Sequence, residues 1–114
     1  MNEYLKTYIA GVESPKASGF EHLQTLMMRD RLFDSSGKLS VQAKTRLRQA
    51  DRQLLENANL FLESLEQITS LAYERQQRNV SALRWWWYLD VVVNLSIAVD
   101  FEINPVPSTQ MVTP

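Results

Sequence analysis

The sequence predicts an all-α fold: a small helical domain built on one long central helix at about 40–79. Two short helices precede it, and a Trp-rich C-terminal helix or extended arm follows. Three observations predict this. Apolar residues recur at steps of three and four, the spacing of one helix face. Side chains that cap helix starts stand where those runs begin. And neither Gly nor Pro occurs from residue 38 through residue 104, so nothing there forces a break. A chain of 114 residues fits one domain, read as 1–104, with a Pro-containing tail over 105–114.

The first helix covers about 1–12, where Met1, Tyr4, Leu5, Tyr8, Ile9 and Val12 share one side. Gly11 weakens its end and Ser14-Pro15 breaks it. Ser18-Gly19-Phe20-Glu21 has the form of a capping box, in which the hydroxyl and the carboxylate each satisfy the other's backbone N–H. The second helix then runs to about Phe33, with Phe20, Leu23, Met27 and either Leu26 or Asp30 facing inward. Asp34-Ser35-Ser36-Gly37 supplies turn residues. A calcium-loop register with Gly37 at the sixth position fails, because Leu32 and Ala43 then hold the first and twelfth positions.

The long helix starts after Ser40, an N-cap type. Leu47, Ala50, Leu54, Ala58, Phe61, Leu65, Ile68 and Ala72 form a stripe that Leu55, Leu62 and Tyr73 widen to roughly 140°. Such an arc is too broad for a strict coiled-coil seam and suits more than one neighbour. A rod over 40–79 would be about 60 Å long. Asn79 and Ser81 read as stop and restart signals.

Over 81–104 two patterns compete. Leu89, Val91, Val93, Leu95, Ile97, Val99, Phe101 and Ile103 alternate with mostly polar residues, which is a strand signal. No second strand is in view to pair with it, and an unpaired strand leaves its backbone polar groups unsatisfied. Helix is expected for about 81–92, and the alternative is an α+β fold with an inter-chain strand near 91–103. Asp90 and Asn94 lie one turn apart and are expected to face solvent; if buried, they need a partner such as Arg84 or a second chain.

Composition narrows the function. With no cysteine there is no disulfide, thiolate nucleophile or Cys-ligated metal. A net charge of −1 provides no global attraction to nucleic acid or anionic lipid. The N-terminal stretch lacks a secretory pattern, and 85–101 is short and carries Asp90, Asn94 and Asp100, unlike a spanning helix. The expectation is a soluble, cytoplasmic protein. His22 is the sole histidine, expected at the surface. Glu63 and Glu66 lack the Glu-x-x-His companion of a carboxylate metal site. No P-loop, G-x-S-x-G or G-x-G-x-x-G occurs. Neither enzyme activity nor a cofactor is expected.

Two features point to contact instead. Trp85, Trp86, Trp87 and Tyr88 are consecutive, and neighbouring side chains diverge by about 100° on a helix, so one indole should leave the chain's own core. Indoles of that kind are enriched at interfaces. Charge is also split. Residues 38–52 hold Lys38, Lys44, Arg46, Arg48 and Arg52 against Asp51, whereas 53–74 hold Glu56, Glu63, Glu66 and Glu74 and no base. Positive charge at a helix start and negative charge at its end oppose the helix dipole. Arg52–Glu56 and Glu74–Arg78 help locally at i,i+4, but an antiparallel copy or a similarly polarised partner would use the whole split.

The leading expectation is a non-catalytic protein–protein interaction protein: an assembly factor, adaptor or structural subunit. Its expected interface is Trp85, Trp86, Trp87, Tyr88, Leu55, Leu62 and Tyr73, with a charged flank of Lys44, Arg48, Arg52, Glu56, Glu63 and Glu66. The second reading is a helical nucleic-acid-binding regulator using Lys44 to Arg52.

Overall fold

In a computed structural model that describes residues 2–95, helix α1 (Glu3–Val12) starts at Asn2. The Asn2 side-chain oxygen accepts the N–H groups of Tyr4 at 2.7 Å and Leu5 at 3.2 Å. The predicted capping box opens α2 (Gly19–Asp34): Glu21 N–H donates to Ser18 Oγ and Ser18 N–H to Glu21 Oε2, both at 3.2 Å. The two helices run antiparallel, since Gly11 lies on Thr25, Tyr8 near Arg29 and Tyr4 near Arg31. A Cβ at Gly11 would fall inside the Thr25 side chain, so the glycine that weakens α1 is what lets α2 approach.

The inward face of α2 differs from expectation. Leu26 is buried and Leu23 packs against the core as expected, but Phe20 is 71% exposed and Met27 is outside, while His22, Thr25, Arg29 and Leu32 are buried as well. The apolar pattern misleads because this face carries polar groups whose partners lie on other helices.

After a 3₁₀ turn at Ser36–Lys38, Ser40 caps α3 (Val41–Glu56), its Oγ accepting Ala43 N–H at 3.0 Å. Here the single long helix has to be corrected. The run forms α3, α4 (Ala58–Leu65) and α5 (Leu71–Arg78). Asn57 (φ −104°, ψ 17°) is the joint between α3 and α4: its N–H donates to Gln53 O and its carbonyl accepts Phe61 N–H, each at 3.0 Å. The break over 66–70 is complete. Hydrogen bonds tighten to i→i−3 at Gln67 and Ile68, and Ser70 Oγ takes Tyr73 N–H at 3.1 Å to cap a new helix. β-branched Ile68 and Thr69 sit poorly in a helix, and a serine offers the backbone an alternative partner. The turn also docks: a Cβ at Gly19 would come within 2.6 Å of Ser64 O and 2.8 Å of Ile68.

Asn79 stops α5 as predicted, in the left-handed conformation (φ 52°, ψ 54°). Val80 N–H returns to Arg75 O at 3.1 Å and Asn79 N–H to Gln76 O at 3.4 Å, a Schellman closure. The helix expected for about 81–92 forms only in its second half. Residues 81–84 are a turn, Trp85–Tyr88 is a 3₁₀ turn, and α6 begins at residue 89. Residues 91–95 are helical, against the strand alternative; the rest of 91–103 and the 105–114 tail lie outside the described residues. The described residues contain no strand, so the fold is all-α.

Helix α3 packs on α1 and α4 on α2, while α5 and the Trp turn pack on each other and the turn reaches α2. Leu5, Tyr8, Leu26, Leu54, Phe61, Leu65, Leu71, Trp86 and Trp87 fill the centre. No described helix is long and apolar enough to cross a membrane.

Candidate functional site

The tryptophans come first, because the structure uses them internally. Trp86 and Trp87 are 1% and 0% exposed. Both indole N–H groups donate to one oxygen, Asp30 Oδ1, at 2.8 and 2.9 Å. Arg84 Nη1 donates to the same oxygen at 3.1 Å, and its Nη2 reaches Asp34 at 2.8 Å. Adjacent indoles do diverge, by about 120° in a 3₁₀ turn, but this turn has neighbours on two sides. Arg29 lies 4.2 Å from the Trp86 ring centre, and Arg78 of α5 lies 4.8 Å from that of Trp87. Trp85 does not leave the fold but packs against the edge of the core. It is half-buried and stands edge-on to Trp86 at 5.7 Å. Tyr88 is also half-buried, with its hydroxyl donating to Val80 O at 3.1 Å. Asp90 pairs with Arg75 (2.7 and 3.2 Å) rather than Arg84, and Asn94 is exposed.

A second polar group joins α1, α2 and α3. Arg29 donates to both oxygens of Asp51, at 2.9 and 3.0 Å, and Tyr8 Oη donates to Oδ1 at 2.7 Å. Burial, reinforced by the neighbouring Asp51 charge, pushes the Tyr8 phenol up, so it stays a donor. On α5, burial pushes the Glu74 carboxyl up, yet hydrogen bonds from Thr69 and Arg78 outweigh it and hold the group below the usual range.

With those arginines committed, the largest run of exposed, unpaired cations among the described residues is on α3. Among the described residues the ion pairs engage Arg29, Arg75, Arg78 and Arg84. Lys44, Arg46, Arg48 and Arg52 enter none and are exposed; Arg48 donates only to Thr45 Oγ1, at 3.3 Å. The Arg52–Glu56 pairing expected at i,i+4 does not form, whereas Glu74–Arg78 does at 2.9 Å. Glu56, Glu63 and Glu66 are exposed as well. Leu47, Ala50, Leu54, Ala58, Phe61 and Leu65 form one buried stripe through the Asn57 joint. The opposite side is therefore also one face, cationic on α3 and anionic on α4. Of the predicted apolar contacts, Leu55 (43%) and Tyr73 (56%) are exposed and Leu62 is buried.

His22 is buried rather than at the surface. Its ring stacks on Phe61 at 3.8 Å, Nε2–H donates to Pro15 O at 2.9 Å, and Nδ1 has no partner among the described residues. Burial pushes its pKa down; the Pro15 bond and the charge of Glu21 act the other way without prevailing. The fold thus prefers neutral His22, while the unfolded chain takes up a proton near pH 6.5. This contribution to stability is complete above that value and declines as pH falls toward the lowered folded-state pKa. Urea midpoints are expected to drop between about pH 7 and pH 5 in the parent chain and to flatten in His22→Gln. An equal drop in both would show that His22 is not the group responsible.

A groove of about 760 Å³ lies between the start of α1 and α3, lined by Leu5, Leu39 and Val41 with Lys38 and Arg46. Among the described residues, no three His, Cys, Asp or Glu side chains are grouped to hold a metal ion. Comparison with family models, curated proteins and solved structures finds no match to this chain.

Proposed function

We propose that this chain is a non-catalytic protein–protein interaction protein, acting in the cytoplasm as an adaptor, assembly factor or structural subunit, and that the outward face of α3 and α4 is its contact surface. One observation carries the reading. The arginines of α2 and α5 and Arg84 before the Trp turn close the fold through ion pairs, whereas Lys44, Arg46, Arg48 and Arg52 of α3 stand exposed and unpaired among the described residues. Lys44 near the start of α3, and Glu56, Glu63 and Glu66 near the ends of α3 and α4, oppose the helix dipoles, so helix stability does not account for them. Leu55 adds apolar area where the cationic and anionic halves meet.

The test is capture from the native source with the parent chain and with Arg48→Glu/Arg52→Glu. Both residues are exposed, so the variant should fold within about 0.5 kcal/mol of the parent. Loss of the captured protein in the variant is the expected result; identical capture by both would place the contact elsewhere.

A second reading, nucleic-acid binding, draws on the same flank, because Lys44, Arg48 and Arg52 step by four along one side of α3. It makes a different prediction. Three phosphate contacts would give log K against log salt a slope of about −2 to −3, lost in the same variant.

A further inference from the structure

We infer that the partner of the α3–α4 face is a second copy of this chain, docked antiparallel about a two-fold axis at Leu55. The inference rests on the contact face proposed above and assigns its occupant. A two-fold contact is isologous, so each residue and its opposite number must be equally spaced from the axis. The exposed charges meet that condition. Arg52 would face Glu56 of the second copy, Arg48 its Glu63, and Lys44 its Glu66. The midpoint of each pair falls within one residue of Leu55, although the pairs differ in sequence separation. Leu55, 43% exposed, would meet Leu55 of the second copy on the axis.

The structure supplies the continuity this needs. The buried stripe Leu47, Ala50, Leu54, Ala58, Phe61 and Leu65 passes through the Asn57 joint, so the opposite face also continues from α3 to α4. Residues 41–65 then offer a contact about 36 Å long. A parallel copy would set like charge against like, whereas the antiparallel copy also opposes the helix dipoles. Solvent-exposed ion pairs contribute little singly. Association should therefore be modest, and salt should weaken it more than it would an apolar seam.

The experiment measures the mass of the full chain in solution by sedimentation at low and high salt, with two charge-reversed variants, Arg48→Glu/Arg52→Glu and Glu56→Arg/Glu63→Arg. The parent chain is expected to dimerise at low salt and to dissociate about tenfold more readily at high salt. Each variant alone should be monomeric, and an equimolar mixture should dimerise, seen as the mixed species by native mass spectrometry. A parent chain monomeric at low salt, or variants that stay monomeric on mixing, overturns the antiparallel pairing. The capture experiment separates this outcome from failure of the contact face. If Arg48→Glu/Arg52→Glu loses a different captured protein, the face stands and only its occupant is wrong.

Discussion

Replacing Asp30 with alanine is expected to lower the unfolding free energy by about 2–5 kcal/mol, a large part of what a domain this size holds. The reason is the number of donors that one oxygen serves. Trp86 and Trp87 both direct Nε1–H to Asp30 Oδ1, and both side chains are sealed from water. Without that oxygen two buried N–H groups have no acceptor, at about 1–3 kcal/mol each. Arg84 loses one of its two carboxylates and is left with the more exposed Asp34. Asp30→Asn keeps one acceptor oxygen, so it should cost clearly less and separate hydrogen bonding from charge. Urea unfolding followed by tryptophan fluorescence measures both. A loss below about 1 kcal/mol in Asp30→Ala would mean the indoles find other acceptors or water. The same variant should keep the charged face of α3, which Asp30 does not touch.

The features that sequence reading recovered are those whose causes are local. Ser18 and Glu21, Ser40, and Asn79 each act on backbone within a few residues, and each does in the structure what its position predicts. The features it missed depend on distant partners. Asp30 reads as one of two candidates for the inner face of α2, but nothing near it in the sequence shows that Trp86, 56 positions away, donates to it. Arg29 and His22 look like surface residues and therefore rotate the predicted inner face of α2. The break over 66–70 was hidden because an apolar stripe has the same period in a straight helix as in a bent one. The Ser70 cap opens a new helix there, and the turn before it lies against Gly19, a tertiary contact. The indoles diverge as helix geometry requires, but only the fold shows that α2 and α5 enclose them from both sides. The charge split over Lys44–Glu66 was legible in full, since sign and helical period are both in the sequence. Whether internal pairing neutralises it could be decided only once the partners of Arg29, Arg75, Arg78 and Arg84 were placed.

Breaking the Arg29–Asp51 pair should have the second large effect. Asp51→Leu is expected to cost about 3–5 kcal/mol, because it strands a charged guanidinium in the interior. The Arg29 side chain is 9% exposed and that of Asp51 18%, and Tyr8 loses its acceptor in the same substitution. The guanidinium would keep its place 4.2 Å from the Trp86 ring centre, but a ring face does not replace a bidentate carboxylate. Removing both charges should cost less than removing one. Arg29→Met/Asp51→Leu is expected to recover most of the loss, since apolar groups of similar volume need no desolvated partner. Denaturant unfolding of the two single variants and the double variant closes a thermodynamic cycle. A double variant as unstable as the sum of the singles would show that the two residues act independently, contrary to their geometry. The pair also bears on the contact face. Asp51 points inward between Arg48 and Arg52, which point out, so its bonds to Arg29 and Tyr8 hold the rotation of α3. If they set that rotation alone, the double variant should regain stability yet lose the ordered presentation of the outward charges. If Leu47, Ala50 and Leu54 suffice, partner capture should return together with stability.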